Sequence, residues 1–436
     1  MIVMKFGGTS VGSPERIRSM VDLIKDDRHK IVVLSAMSGT TNTLVKITEL
    51  LYAKKQEEAT AEIDALESKY YKVVDELYKT EDAKKKGKEL VKSHFDGLKE
   101  FSIDLFTIFE ERIILAQGEL MSTALTQYYC EEIGLKPVWL PALNFMRVDR
   151  NGEPDAYYIK EQLRRELEKY PDTKLFITQG YICRNVYGEV DNLKRGGSDY
   201  SASLIGQAID AENIQIWTDI DGFHNNDPRY VNNTKAISEL SFDEAAELAY
   251  FGAKILHPAS VWPAQEANIP VWLKNTLDPD AKGTVISSKT DGDGIKAIAA
   301  KDNITAIKIK SGRMLMAYGF LRKVFEVFES YQTPIDMITT SEIAVSLTID
   351  DTTHLDKIAY ELRQYGTVEV DRDMTIVCIV GNNIMNCKSS ISKIFKALDN
   401  DPVRMVSYGG SRHNISILTD KEHKAEALQS LSKHLF

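Results

Sequence analysis

Short apolar runs alternating with amphipathic stretches dominate the first part of the chain. Ile2–Phe6, Lys30–Ser35, Val138–Leu140, Leu175–Gly180, Ile214–Thr218 and Ile269–Leu273 are brief and apolar, as strands buried on both faces should be. Helical patterns separate most of them. Ser13 is a good N-cap, Pro14 suits the first helical position, and Ile17, Met20, Val21 and Ile24 make one apolar stripe. Another helix is predicted from Ser241, with Glu244 as its capping-box partner. Such alternation from residue 1 to about 275 predicts a mainly parallel sheet covered by helices on both faces. Residues 52–112 depart from it, being rich in Lys and Glu, free of Pro and apolar at helical intervals, and they predict a helical excursion.

The segment Asp278–Gly294 is dense in Gly, Asp, Ser and Thr and marks a domain boundary. Beyond it the chain repeats itself at an offset of seventy residues, with 304–350 matching 374–420 without gaps. Ile307 and Ile309 fall on Val377 and Ile379, Leu321 on Ile391, Val324 and Phe325 on Ile394 and Phe395, and Val345–Asp350 on Ile415–Asp420. The matched positions alternate in the strands and run at helical spacing between them, so each copy reads strand, helix, strand, strand. A module this small suits the binding of a small effector better than chemistry.

A chain of 436 residues is too long for one ordinary core, which agrees with a multi-domain reading. An apolar fraction of 43% and a charged fraction of 27% place it among globular proteins. The net charge of −10 gives no reason to expect nucleic acid or an anionic membrane as partner, so any anionic substrate must be held by local groups. Cys130, Cys183, Cys378 and Cys387 form no CxxC pair or zinc pattern, and the N-terminal MIVMKFGGTS has no signal-peptide core. A cytoplasmic protein without a disulfide framework or a metal site of recognisable ligand spacing is expected.

Three glycine-rich turns each follow a strand and lead into a helix: Lys5–Ser10, Ser35–Asn42 and Lys194–Asp199. Backbone N–H groups exposed at helix starts suit phosphate and carboxylate groups, and glycine lets a ligand approach closely. None of the turns is a Walker A loop or a GxGxxG fingerprint, so a nucleotide would be held differently. Lys5, at the end of the first strand and directly before Gly7 and Gly8, is placed to neutralise phosphoryl oxygens during transfer.

KFGGTSV, VVLSAMSGTTN, GELMS, TQGY, RGGSDYSA, WTDIDG, NDPR and FGAKILHP stand in the order found in aspartate kinases, and nearly the whole chain resembles that family. The resemblance implies a three-layer αβα amino-acid kinase fold with a mainly parallel sheet, followed by two ferredoxin-like ACT modules. It divides the chain into a catalytic domain, 1–293, and a regulatory region, 294–436, with repeats at about 304–370 and 371–436. The activity implied is transfer of the γ-phosphoryl of ATP, with Mg2+, to the β-carboxylate of L-aspartate. By matched position, Lys5 and Asp199 resemble the catalytic pair. Ser35, Thr41, Glu119, Tyr181, Arg195 and Ser198 resemble the aspartate site, with Arg195 gripping a carboxylate and Glu119 receiving the α-ammonium. Lys5, Gly7, Gly8, Ser10, Thr218, Asp219, His224, Asp227, Arg229, Lys254 and Ile255 match the nucleotide site, although many members carry tyrosine where His224 stands. Met314, Gly319, Phe320, Leu321, Ile335, Asp336, Thr340, Ser341 and Glu342 resemble the effector positions of lysine-inhibited members, whereas Met316 and Ala317 depart from that pattern. Feedback inhibition by lysine, alone or with threonine, in a homodimer or dimer of dimers joined through the ACT modules is therefore expected. Two alternatives stand beside this reading: another amino-acid kinase of the glutamate or acetylglutamate type, and a catalytically dead amino-acid sensor. Glu119 with Arg195 demands a zwitterionic acid, and Lys5, Asp199, Arg229 and Lys254 together argue against a dead sensor.

Overall fold

Runs that are apolar on both sides can be hidden only inside a covered sheet, and that is where they lie. The computed structural model describes residues 1–101, 106–193, 196–252, 255–289, 292–312, 318–387, 389–399 and 401–436. Its first strands are β1 (Ile2–Phe6), β2 (Lys30–Leu34), β3 (Val138–Trp139), β4 (Leu175–Gln179), β5 (Ile182–Arg184), β6 (Val190–Asn192), β7 (Ile214–Thr218), β8 (Glu239–Ser241), β9 (Val271–Asn275) and β10 (Thr284–Ser287). All but β5 and β6, which pair with each other, form one sheet in the order β3-β4-β2-β1-β7-β9-β10-β8. Its pairings are parallel except that of β9 with β10. The helices are α1 (Pro14–Ile24), α2 (Thr40–Tyr52), α3 (Gln56–Leu77), α4 (Glu81–Phe101), α5 (Ile108–Glu132), α6 (Ala156–Glu168), α7 (Gly197–Ala208), α8 (Phe242–Tyr250) and α9 (Trp262–Glu266).

The apolar stripe of α1 is buried at every expected position, and the Ser13 hydroxyl accepts from the N–H of Arg16, as an N-cap should. The excursion is the helix pair α3 and α4, whose Tyr70, Val74, Val91 and Phe95 are fully buried in one core with Ile114 of α5. Because β4, β2, β1 and β7 are adjacent and parallel, their carboxyl ends lie side by side, and the turns leaving them open at one edge of the sheet.

A second compact unit comprises His224–Ile237, Asp243–Ile255 and the chain after Lys289. The two early segments join it through specific bonds: the N–H of Ile298 donates to the carbonyl of Asn225 at 2.9 Å, and Lys296 pairs with Glu244 at 3.1 Å. Glu244, which the spacing to Ser241 marks as a capping-box partner, is also a buried ion-pair partner within the second unit. Here β11 (Gly294–Lys310), β12 (Ile338–Thr340), β13 (Ala344–Ile349), β14 (Thr367–Asn382), β15 (Met405–Tyr408) and β16 (Asn414–Asp420) form an antiparallel sheet in the order β12-β13-β11-β14-β16-β15. With α10 (Phe320–Ser330), α11 (Leu355–Leu362), α12 (Ser390–Ala397) and α13 (Lys424–Leu435), it makes two like modules that share their long central strands β11 and β14.

The repeat holds in three dimensions. Ile307, Ile309, Val324, Val345 and Leu347 are buried in one module core, and their equivalents Val377, Ile379, Ile394, Ile415 and Ile417 in the other. The remaining matched helix positions do not join the cores: Leu321 and Phe325 are 38% and 41% exposed, and Ile391 and Phe395 are 39% and 40% exposed. Each module therefore carries the same apolar i, i+4 pair on the outside of its first helix.

Candidate active site

The turns at the carboxyl edge of the first sheet surround an open cavity of roughly 540 Å³. Gly7, Gly8 and Thr9 line it from the turn after β1, Ser35–Gly39 with Thr41 and Asn42 from the turn after β2, Tyr181 from beyond β4, and Thr218 and Asp219 from the end of β7. Glu119 enters from α5, and Gly197 and Ser198 from the start of α7. Turns separated by more than two hundred residues meet here because parallel strands deliver them to the same side.

Beside this cavity, Lys5 Nζ lies 2.6 Å from Asp199 Oδ1, with the two side chains only 11% and 16% exposed. The ammonium stays close to the glycine turn, since a Cβ built on Gly7 would stand 3.4 Å from it. Asp199 sits in the first turn of α7, where the helix dipole interacts favourably with a negative side chain, and from there it reaches Lys5. A buried cation held by one carboxylate can release part of that interaction to an incoming phosphate without leaving its place.

Glu119 is fully enclosed. Its Oε1 accepts from the N–H of Ala36 at 3.1 Å, while Oε2 has no hydrogen-bond partner in the protein. Burial pushes its carboxyl up to about 8, against the opposing pull of the Ala36 N–H and of Lys5. An acid this far from its ordinary range, lining a cavity and with one oxygen lacking a partner in the protein, is suited to receive a cation.

The backbone around the cavity is constrained. Tyr181 has φ +67, an uncommon conformation for a bulky residue, and its N–H donates to Ser201 Oγ at 2.8 Å. Burial pushes its phenol up to about 12, with Glu119 adding to the shift. Gly180 just before it has no room for a side chain, because a Cβ there would lie 2.3 Å from that of Ser198. We expect Gly180→Ala to displace the start of α7, lowering stability by ~1–3 kcal/mol in thermal unfolding and also reducing kcat.

Of the residues expected in the site, Ser35, Thr41, Glu119, Tyr181, Ser198, Gly7, Gly8, Thr218 and Asp219 line this one cavity, and Lys5 and Asp199 adjoin it. Ser10 is buried below it, where its hydroxyl is 2.6 Å from Thr276 Oγ1 and donates to the Trp217 carbonyl at 3.3 Å. Arg195, Lys254 and Met314 lie outside the described residues. His224, Asp227, Arg229 and Ile255 belong to the second unit. There His224 Nδ1 is 3.0 Å from Thr234 Oγ1, and Asp227 holds the exposed Arg229 at 2.6 Å. Thr9, Ala36, Met37, Ser38, Gly39, Asn42 and Gly197 also line the cavity but were not singled out; their membership of glycine-rich turns at strand ends was the available signal.

In the first module, Gly319 (φ +78) caps α10, Phe320 is buried, and Ile335 packs against the module core. The Asp336 side chain is 1% exposed and meets Lys301 Nζ at 2.8 Å and the Tyr250 hydroxyl at 2.8 Å. Thr340 ends β12, and Ser341 and Glu342 form the exposed hairpin turn, where the N–H of Ser341 donates to the carbonyl of Ala344 at 2.8 Å.

Residues 1–275 match the amino acid kinase family, and residues 377–435 match the ACT domain. The chain is 33% identical to lysine-sensitive aspartokinase 3 of Escherichia coli K12, across 100% of this chain and 99% of that one. It superposes with a TM-score of 0.85 and full coverage of both chains on E. coli aspartokinase III solved with aspartate and ADP, at 33% identity. The same enzyme solved with lysine and aspartate gives a TM-score of 0.83, again at 33% identity, with 100% of this chain and 99% of that one covered. Shared motifs, a shared fold and identity spread over the full length have one common explanation: this chain belongs to the amino acid kinase family, among its aspartokinases.

Proposed function

We propose that this chain transfers the γ-phosphoryl of ATP to the β-carboxylate of L-aspartate, giving 4-phospho-L-aspartate and ADP. The observation that carries the reading is the buried Lys5–Asp199 pair beside a cavity lined by Glu119, one of whose carboxylate oxygens has no partner in the protein. The E. coli relative solved with aspartate and ADP supports the same pair of ligands.

In this reading Glu119 receives the α-ammonium of aspartate, Arg195 grips a carboxylate, and Ser35, Thr41, Tyr181 and Ser198 enclose the remainder. The nucleotide phosphates lie along Gly7, Gly8 and Lys5, with Thr218 and Asp219 toward the rest of the nucleotide; for Ser10, His224, Asp227, Arg229, Lys254 and Ile255 the support for a nucleotide role is the match of their motifs to those of aspartate kinases. The attacking group is already a carboxylate at neutral pH, so no general base is required. Lys5 stabilises charge gathering on the transferring phosphoryl group, and Asp199 holds the ammonium in place; orientation and charge neutralisation do the rest. The carboxylates of Asp199 and Asp219 are hard oxygen donors of the kind magnesium takes, and the bound ion would neutralise charge on the β- and γ-phosphates. Measuring ADP release with aspartate, glutamate, acetylglutamate and UMP side by side tests the assignment, and aspartate should be the preferred acceptor.

Regulation by lysine is part of the proposal. The E. coli relative is described as lysine-sensitive and was solved with lysine bound. Asp336, buried and already holding an ammonium, is a fitting receiver for the effector's own, with Met314, Gly319, Phe320, Leu321, Ile335, Thr340, Ser341 and Glu342 around it. Lysine at millimolar concentration should lower the initial rate, and Asp336→Asn should raise the concentration needed by about tenfold or more, the worth of a charged hydrogen bond. The outward apolar pairs Leu321 with Phe325 and Ile391 with Phe395 favour a homo-oligomer joined through the ACT modules. Among the described residues no helix is long and apolar enough to cross a membrane, and we place the enzyme in the cytoplasm.

A further inference from the structure

We propose that Lys69 and Tyr70 of α3 are positioning residues that hold the Ser35–Asn42 turn in its aspartate-receiving shape. The excursion of α3 and α4 would then be a brace for the substrate site, not an ornament on the fold. This inference rests on the aspartate kinase reading above and extends it to a segment that the reading leaves without a role.

The turn contributes more residues to the cavity than any other segment, yet its own side chains do little to fix it. Gly39, at φ +81, precedes α2 as its N-cap and supplies no side-chain cap. Inside the turn the N–H of Thr40 donates to the carbonyl of Met37 at 3.0 Å, which closes a single tight bend. The lateral restraints come from elsewhere. Lys69 Nζ donates to the carbonyl of Ser38 at 2.9 Å, and the Tyr70 hydroxyl lies 3.0 Å from Thr40 Oγ1. These two contacts flank Gly39 on both sides along the chain.

Tyr70 can act as a fixed point because it is itself immobilised. It is fully buried, and its ring centroid is 5.8 Å from that of Phe95 on α4. A hydroxyl in such surroundings needs a partner, and Thr40 supplies it. From the opposite side α5 presses on the same turn: a Cβ on Gly118 would come within 2.6 Å of the Ala36 Cβ and 3.3 Å of Thr40 Cγ2, and Glu119 takes the Ala36 N–H. The turn is thus clamped between α3 and α5. Thr41 and Asn42, which line the cavity, follow directly from the clamped Thr40. Neither Lys69 nor Tyr70 is a catalytic residue, since both act through the backbone and side chain of the turn.

Steady-state kinetics on the full chain test this. Tyr70→Phe keeps the ring in its core and removes only the hydroxyl, while Lys69→Met removes a donor from an exposed side chain and leaves the core untouched. Each should raise KM for aspartate about fivefold, the effect of one net hydrogen bond, with KM for ATP unchanged. Lys69→Arg, which restores a donor, should return KM for aspartate toward the wild-type value. Selective change in the aspartate constant with an unaltered melting temperature in Lys69→Met supports the brace. An unchanged aspartate KM in both variants, or aspartate and ATP constants moving together, overturns it. A wild-type enzyme that does not turn over aspartate would instead defeat the functional assignment, so the two failures appear in different proteins.

Discussion

Lys5→Ala should lower kcat by about a thousandfold while the protein still folds and binds nucleotide. Phosphoryl transfer between two oxygens leaves little covalent work for the protein, so an ammonium that meets charge as it develops is the largest contribution a side chain can make. The site concentrates that contribution in one residue: Lys5 is 11% exposed, held at 2.6 Å by Asp199 and adjacent to Gly7. A poorly solvated cation exerts a stronger field than one in water, so no solvent reorganisation has to follow the reaction. Removing it also strands the Asp199 carboxylate, and some loss of melting temperature should accompany the kinetic defect. Lys5→Ala/Asp199→Asn should recover stability and not rate, which separates the two effects. Turnover of Lys5→Ala close to wild type, with ADP formation followed directly, would remove Lys5 from the chemistry.

The second large effect is a pH dependence of aspartate binding. Glu119 titrates near 8 because burial disfavours its charge, so in the empty enzyme at neutral pH it is mostly protonated. Reception of an ammonium requires the carboxylate, and KM for aspartate should fall by up to about tenfold per pH unit as pH rises toward 8, then level off. Glu119→Gln keeps an acceptor for the Ala36 N–H and cannot ionise; its KM should be flat across this range and higher than wild type by about tenfold to a hundredfold at pH 8. The stability consequence has a definite sign. The folded-state pKa lies above the ordinary value of 4.5, so the folded protein retains a proton that the unfolded chain releases. Stability from this group is complete below 4.5 and is lost as pH climbs through about 8. Parallel KM profiles for wild type and Glu119→Gln between pH 6 and 8 would show that this carboxyl does not receive the substrate.

Local pattern proved a good guide wherever a local cause determined the outcome. The Ser13 cap and the buried stripe of α1 need only the residues of that helix, and the strand at Ile214–Thr218 needs only a run too apolar to be exposed. Where a partner far along the chain decides, pattern falls short. Glu244 is placed by its spacing to Ser241, but that spacing carries no hint of its buried ion pair with Lys296, fifty-two residues on. The apolar period of α10 includes Leu321 and Phe325 as well as Val324, yet only Val324 enters the module core, since a stripe can be wider than the surface that covers it. The strand expected at Ile269–Leu273 is displaced to Val271–Asn275, where its pairing with Ile214–Thr218 of β7 sets the limits.

By itself the order of residues determined the alternating layers of the first unit, the duplicated module of the second, the three glycine-rich turns and the motifs that mark an aspartokinase. These follow from periodicity and turn chemistry, which act over a few residues. Only the tertiary structure decided that Lys5 and Asp199 touch, that Glu119 is sealed against Ala36 with one oxygen free of protein partners, and that Lys69 and Tyr70 grip a turn thirty residues away. Such contacts depend on which strand lies beside which and on how deeply a side chain is buried, and burial is what turns an ordinary glutamate into one that titrates near neutrality.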